Sequence, residues 1–415
     1  MSTITVIRPL APSEEIFASS QVLVGYCTRV LGRVDLPALT RAFAALHQAY
    51  PLLAAGLLED TDGRHILVES PGPAPVVDIR EGDPDQLLVG ARLDQRTALA
   101  ALCVVRAVDN PEDASVTLVT HHAIADAAHS VALVGQLWAC YTELTEGRPG
   151  NIAPQPYPGT VEQLLDTRGV AKSGDPTRRV RAAGPLVAPE VSDDTPYVLP
   201  RTARCRLTRS QTAALVELGH RRHTTMNGLA SAAILLTEAE LRGLPLHELN
   251  YTYSVDLRTR VTPPIGATEG TNVLGFADFA PTTHTGANPV ELARAISDTL
   301  YDELGAGLVQ QSPLHIPDIT AGPPPASPGV VLTTNWGRVT APPVPPALRV
   351  TDFRSIMIGK PDKTGHRLQQ PSGTIIISTF DDRLSIEIHH PVETTEEQRL
   401  RVGLLMTHLC AAPRR

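Results

Sequence analysis

Apolar residues recur at two periods along the chain, and the switches between them mark out its elements. Leu36, Leu39, Phe43 and Leu46 fall at helical spacing behind Asp35, a side chain suited to an N-cap, and Pro51 blocks continuation. That pattern predicts an amphipathic helix packed on a neighbour. From Ala114 to Thr120, Val116, Leu118 and Thr120 alternate with Thr117 and Val119 in a run rich in β-branched residues, which predicts a mostly buried strand ending at His121. The helical period resumes after Asp126: Val131, Val134, Trp138 and Tyr141 share one face of a helix expected over 127–144, with Gly147 and Pro149 beyond its end. The local plan is strand, short loop, long helix.

From about 151 to 200 the periodicity fades and Pro, Gly, Asp and Arg dominate, so this tract reads as a crossover between an N-terminal domain over 1–150 and a C-terminal domain over 201–415. The second half predicts helices over 210–221 and 227–242, the latter stopped by Gly243, a strand over 250–255 and a helix over 289–304. Pro323-Pro324-Pro325 and Pro342-Pro343 mark loops around a strand at 330–334. Thr374 to Thr379, the turn Asp381-Asp382, and Leu384 to His389 predict a hairpin, followed by a last helix over 396–410. One segment has an echo: Val116-Thr117-Leu118-Val119-Thr120-His121-His122 resembles Leu384-Ser385-Ile386-Glu387-Ile388-His389-His390, each an apolar strand closed by paired histidines and followed by a helix. Two related α/β halves produce such a match, and so does chance. The second copy lacks an Asp four residues after His390, so only the first has the makings of a site.

Composition narrows the classes. At 415 residues, 42% hydrophobic and 19% charged, the chain is globular and long enough for two cores. No apolar stretch reaches the roughly 20 residues of a membrane span, and Arg8, Glu14 and Glu15 occupy the place of a signal peptide's apolar core, so a cytoplasmic protein is expected. Five scattered cysteines without C-x-x-C spacing fit reduced, buried thiols. A net charge of −8 without a basic run argues against nucleic acid. Lys172, Lys360 and Lys363 are the only lysines, as codon bias in a high-GC genome would produce.

The chemistry concentrates in His121-His122-Ala123-Ile124-Ala125-Asp126. A histidine at a strand end reaches into a cleft from a fixed backbone, and its ordinary pKa of about 6.5 leaves Nε2 able to accept a proton near neutrality. His121 and His122 point to opposite faces if strand geometry persists, so only one faces the cleft. Asp126 is placed to cap the next helix or to pair with a cation. A metal site drawn from His121, His122, Asp126 and His129 is the alternative, although it requires a distorted backbone.

These residues resemble the His-His-x-x-x-Asp-Gly motif of chloramphenicol acetyltransferase-like enzymes, peptide-synthetase condensation domains and polyketide-associated acyltransferases. The likeness is greatest to the phthiocerol/phthiodiolone dimycocerosyl transferase type. It extends through Val6-Ile7-Arg8-Pro9-Leu10, Ser13-Glu14-Glu15 and Phe17, Ala233-Ile234-Leu235-Leu236-Thr237-Glu238, Val255-Asp256-Leu257-Arg258, Thr271-Asn272-Val273-Leu274-Gly275, and Gln310-Gln311-Ser312 with Leu314-His315. What it implies is two α/β domains, each a mixed sheet with flanking helices, and a channel between them. His122 is then the general base, His121 a structural neighbour, and Asp126 a structural carboxylate with Arg258 as its cationic partner. The donor is a thioester on an acyl carrier protein, a polyketide synthase or coenzyme A, and the acceptor a hydrophobic alcohol; a monomer without cofactor or metal is expected.

Two departures stand out. Ala127 replaces the motif's usual Gly, and Asn335-Trp336-Gly337 is only a partial likeness to the Asp-Phe-Gly-Trp-Gly signature of condensation domains. Asn335 and Trp336 therefore read either as channel or oxyanion contacts or as a strand-end turn. No Ser or Cys occupies a nucleophile motif, which favours direct transfer over an acyl-enzyme. The rival reading is a catalytically idle module that docks carrier proteins on the same fold.

Overall fold

Asp35 caps the first long helix as its place in the pattern requires, accepting from the Ala38 N–H at 2.9 Å. In the computed structural model, which describes residues 5–69, 77–87, 94–174, 201–319, 329–360, 373–390 and 393–411, this helix is one of several that cover two mixed sheets. Besides short helical turns, the first half runs through β1 (Val6–Pro9), α1 (Pro12–Ala18), β2 (Leu23–Leu31), α2 (Leu36–Ala49), β3 (Ala55–Glu59) and β4 (His65–Glu69). It continues through β5 (Val77–Gly82), β6 (Ala100–Ala107), β7 (Asp113–His121), α3 (Ala127–Thr145) and α4 (Val161–Asp166). The second half adds β8 (Arg201–Arg206), α5 (Arg209–Arg222), α6 (Met226–Arg242), β9 (Asn250–Asp256), β10 (Leu274–Phe279) and α7 (Pro289–Gly305). It ends with β11 (Val330–Val339), β12 (Arg349–Ile358), β13 (Thr374–Phe380), β14 (Arg383–His390) and α8 (Thr395–Ala411). No described helix is long and apolar enough to cross a membrane.

The strand orders are β12-β2-β7-β6-β5 in the five-stranded sheet and β10-β9-β11-β13-β14-β8 in the six-stranded one, with β1-β4-β3 a small separate sheet. Both large sheets mix directions: β5 with β6, and β11 with both β9 and β13, are parallel, and the other pairs antiparallel. In the first lobe α2 and α3 bury Leu39, Phe43, Leu46, Trp138 and Tyr141 with Tyr26, Val116 and Leu118 of the sheet. The polar tips of Trp138 and Tyr141 are satisfied there, with Trp138 Nε1 donating to Thr28 and Tyr141 accepting from the Asp35 N–H. The second core gathers Leu235, Tyr251, Val331, Ile377 and Ile386. Cys27, Cys103, Cys140 and Cys205 are buried free thiols, as their scatter suggested, and burial raises the Cys27 thiol to about 11.

The echo between the halves has a structural basis. β7 lies between β2 and its hairpin partner β6 and leads into α3; β14 lies between β8 and its hairpin partner β13 and leads towards α8. The β13–β14 turn is built by Asp381 and Asp382, both left-handed with φ of 52° and 55°, a conformation that Asp tolerates better than most side chains.

The division at 151–200 is where sequence and structure differ. Residues 160–166 carry a Thr160–Gln163 capping box, and Val161 and Leu165 are buried in the second core. Two helical turns are too short to leave a visible period. Residues 175–200 of that tract lie outside the described residues, as do Pro323-Pro324-Pro325 and Pro391-Val392. The span 201–415 is also not self-contained: β12 leaves it to pair with β2 along Leu23 to Leu31, covering an edge that would otherwise expose unpaired N–H and C=O groups.

Where β12 passes β14, a buried ion network joins the lobes. Glu387 accepts from Ser355 N at 2.6 Å, Ser355 Oγ at 2.5 Å and Arg354 Nε at 3.1 Å, while Arg204 reaches Asp352. Replacing Glu387 by Leu strands the buried end of this network, and a loss of about 3–5 kcal/mol is expected in equilibrium denaturation. A loss below about 1 kcal/mol would show that Arg354 is fully served by its other partners.

Candidate active site

The site is assembled where β7 ends. His121 closes the strand and is fully buried; its Nδ1 accepts from the Ala123 N–H at 3.1 Å and its Nε2 faces Gln95 Oε1 at 3.1 Å. Burial pushes its pKa down to about 3, so this ring is neutral. His122 turns the other way and is only partly buried. Its ring lies flat on Phe17 of α1, with centroids 3.9 Å apart and planes within 1° of parallel, and its Nδ1 meets Asn272 Oδ1 at 3.0 Å. Burial lowers its pKa below the ordinary value, opposed by its own carbonyl, Asp126 and Asn272.

Asp126 caps α3 by accepting from His129 N at 3.0 Å. Its two oxygens also take both guanidinium arms of Arg258, at 2.8 and 3.0 Å, and the Val273 N–H at 2.8 Å. Arg258 spends its remaining donors on the Ala267 carbonyl and Asp256, and these carboxylates hold its pKa up against burial. The fork is bidentate and buried, a geometry that lysine does not reproduce.

A further layer fastens the segment 271–273 that faces His122. Asp126 N donates to the Thr271 carbonyl, and Thr271 Oγ1 donates to the buried Glu14 carboxylate at 2.6 Å, which Arg8 grips from the other side. Asn272, Phe17 and Glu14 are the site residues that reasoning from the pattern missed. Their only signal was membership in the segments that carried the family resemblance.

The structure thus brings together His121, His122, Asp126 and Arg258, but not Asn335 and Trp336. The Asn335 amide donates to Asn227 and accepts from Gly337 N, in a recess between α5, α6 and the β13–β14 hairpin. Trp336 stacks on Tyr26 at 4.8 Å, against the first core. Among the described residues neither has a hydrogen bond to His122. The potential metal ligands diverge too: His129 Nδ1 bonds the Gly270 carbonyl, and no group of three or more His, Cys, Asp or Glu among the described residues is arranged to hold a metal.

The two mixed α/β lobes, meeting at a strand-end histidine over a buried Asp–Arg fork, have the two-lobed fold of the chloramphenicol acetyltransferase-like class. The same two-lobed fold occurs in the first condensation domain of the calcium-dependent antibiotic synthetase, with TM-score 0.67 and 14% identity, and in a trichothecene 15-O-acetyltransferase from Fusarium sporotrichioides, with TM-score 0.69 and 14% identity, covering 98% of this chain and 94% of that one. Residues 196–389 match the family model described as phthiocerol/phthiodiolone dimycocerosyl transferase C-terminus. A phthiocerol/phthiodiolone dimycocerosyl transferase of Mycobacterium ulcerans (strain Agy99) is 34% identical over 421 residues, covering 98% of this chain and 97% of its own. Polyketide synthase associated protein 5 from Mycobacterium tuberculosis superposes with TM-score 0.79 at 30% identity, covering 99% of each chain. The chain belongs to the phthiocerol/phthiodiolone dimycocerosyl transferase family and is an acyltransferase.

Two outcomes are expected of this geometry. Asp126→Asn and Arg258→Ala each strand part of a buried pair and should cost about 3–5 kcal/mol, yet the double variant should be no worse than the more damaged single. A double-mutant cycle measures this, and additive losses would break the pairing as the source of the effect.

The second outcome concerns pH. The unfolded chain protonates His121 near the ordinary value of about 6.5 whereas the folded protein resists until about 3, so its contribution to stability is present above pH ~6.5 and is lost as pH falls towards 3. Denaturant midpoints at pH 7 and 4.5 should therefore differ less in His121→Gln than in the parent. An unchanged slope would mean that the ring is not the group refusing the proton.

Proposed function

We propose that the chain transfers an acyl group from a thioester, carried by an acyl carrier protein or polyketide synthase or by coenzyme A, to the hydroxyl of a hydrophobic alcohol, working in the cytoplasm. The observation that carries this reading is the setting of His122: a partly exposed ring, seated on Phe17, with Nδ1 already bonded and Nε2 left for a substrate. Nε2 takes the acceptor's proton as its oxygen attacks the thioester carbonyl carbon. The tetrahedral intermediate collapses, the C–S bond breaks, and the imidazolium returns its proton to the departing thiolate, so the products are ester and free thiol. No acyl-enzyme is needed. Phe17 and Asn272 orient the base, while Asp126 and Arg258 hold the loop from beneath without touching substrate.

The relatives' name describes transfer of dimycocerosyl groups to phthiocerol and phthiodiolone. For this chain the composition supports aliphatic substrates of that kind, since aromatic residues make up only 4% of the sequence and apolar walls must be largely aliphatic. A second use of the fold, carrier docking without reaction, has no need of a buried fork that fixes one histidine.

The test is release of free thiol from an acyl thioester in the presence of long-chain alcohols. His122→Ala should lower the rate by roughly 10²–10⁴ with the fold intact. Because the pKa of His122 is lowered, the parent's kcat/KM should stay flat on acidification through pH ~6.5 and fall only below it. A His122→Ala variant retaining more than about a tenth of the activity would assign the base elsewhere.

A further inference from the structure

Asn272 stands opposite His122 across 150 residues of sequence, and its amide is oriented by chemistry that leaves no alternative. Nδ2 lies 2.7 Å from the His122 carbonyl and 3.1 Å from the Ala123 carbonyl. Carbonyl oxygens only accept, so the NH2 end of the amide must face them and the oxygen must face the ring. Oδ1 in turn only accepts, so at 3.0 Å the His122 Nδ1 must be the donor and carry the proton. The residue next door shows the opposite arrangement: His121 Nδ1 accepts from the Ala123 N–H, which leaves the proton on its Nε2. Two adjacent histidines are held as opposite tautomers, and the difference between them is the partner presented to Nδ1.

Asn272 is itself immobilised. It is 2% exposed, and the residues on either side are gripped by Asp126, through its N–H to the Thr271 carbonyl and its Oδ2 from the Val273 N–H. We infer that Asn272 is the positioning residue that fixes His122 as the Nδ1–H tautomer, so that Nε2 is the proton acceptor presented to the acceptor alcohol. The assignment rests on the acyl-transfer reading for its purpose, but not for its test. A neutral amide suits the task, because it directs the proton to Nδ1 without adding the full negative charge by which a carboxylate would favour the imidazolium. It also holds the His122 carbonyl that lies beside the ring.

The tautomer is read directly from ¹⁵N spectra of protein labelled at histidine, recorded at about pH 8 where the ring is neutral. The His122 signals are assigned by their loss in His122→Gln. In the parent, Nδ1 should resonate as a protonated, pyrrole-like nitrogen and Nε2 as an unprotonated, pyridine-like one, with His121 reversed. In Asn272→Ala the Nε2-protonated form should appear, with kcat reduced about tenfold or more and KM within about twofold, since a mis-set tautomer damages the chemical step rather than binding. A parent spectrum with Nε2 protonated overturns the inference, as does an Asn272→Ala protein that keeps both the Nδ1–H signature and the parent kcat. Neither result depends on thiol release from His122→Ala, so failure of this assignment is distinguishable from failure of the acyl-transfer reading.

Discussion

The carboxylate of Asp126 is the group around which the site is organised. It is removed from water, and a buried charge is tolerated only when its lone pairs are filled. Here each oxygen receives two donors, Oδ1 from His129 N and Arg258 Nη2, Oδ2 from Arg258 Nη1 and Val273 N. Those donors come from the start of α3, from the loop after β9 and from the segment before β10. Its N–H ties the same segment again through the Thr271 carbonyl. Such a pair adds little net stability compared with apolar packing, but every alternative arrangement leaves a charge unmatched. Its effect is therefore selective: one geometry of the loop 122–126 is retained, and the ring of His122 is delivered with it.

Position in the tertiary structure follows from that constraint. Asp126 and His122 belong to the first lobe, while Arg258 and the 271–273 segment pack with the second, where Leu257 and Val273 are core residues. α1 completes the seat from the N-terminus, with Phe17 under the ring and Glu14 holding Thr271. The ring of His122 is thus placed by contacts across the lobes rather than by its own strand. The Glu387 network at the β12–β14 crossing is a second set of hydrogen bonds between the lobes.

What was legible in the sequence divides along the same line. Elements with a sustained period, such as α2, β7, α3, α6 and the β13–β14 hairpin, are found within a residue or two of their expected ends, because each buries a face that its own pattern announces. The Asp126–Arg258 pair came from family resemblance, since nothing in local spacing links residues 132 apart. Asn272, Phe17 and Glu14 had no local signature, because a side chain that serves a distant backbone or ring leaves no periodicity. β12 was hidden for a different reason: Asp352 and Arg354 face the ion network between lobes, so a pairing strand reads as polar. Asn335 and Trp336 were suggested by a partial motif. β11, however, continues to Val339, and Trp336 packs against Tyr26 and Phe353 instead of ending the strand in a turn.

The exchange of β12 also accounts for the inequality of the two paired-histidine strand ends. At β14, His389 is buried with Nδ1 on Thr202 Oγ1 at 3.1 Å and Nε2 on Ser355 Oγ at 3.2 Å, and His390 Nδ1 accepts from Glu393 N. Ser355 belongs to β12, so the strand that completes the first sheet is the one that closes the end of the second. Desolvation drives His389 down to about 4, and the ring is a packed, neutral structural residue. Among the described residues, no strand outside its own sheet bonds the paired histidines at β7. His121 takes the buried role, and His122 keeps one nitrogen for which no hydrogen bond is found among the described residues. The two strand-and-histidine units therefore end differently: the second is closed by a side chain from a strand of the other lobe's sheet, and the first leaves His122 partly exposed.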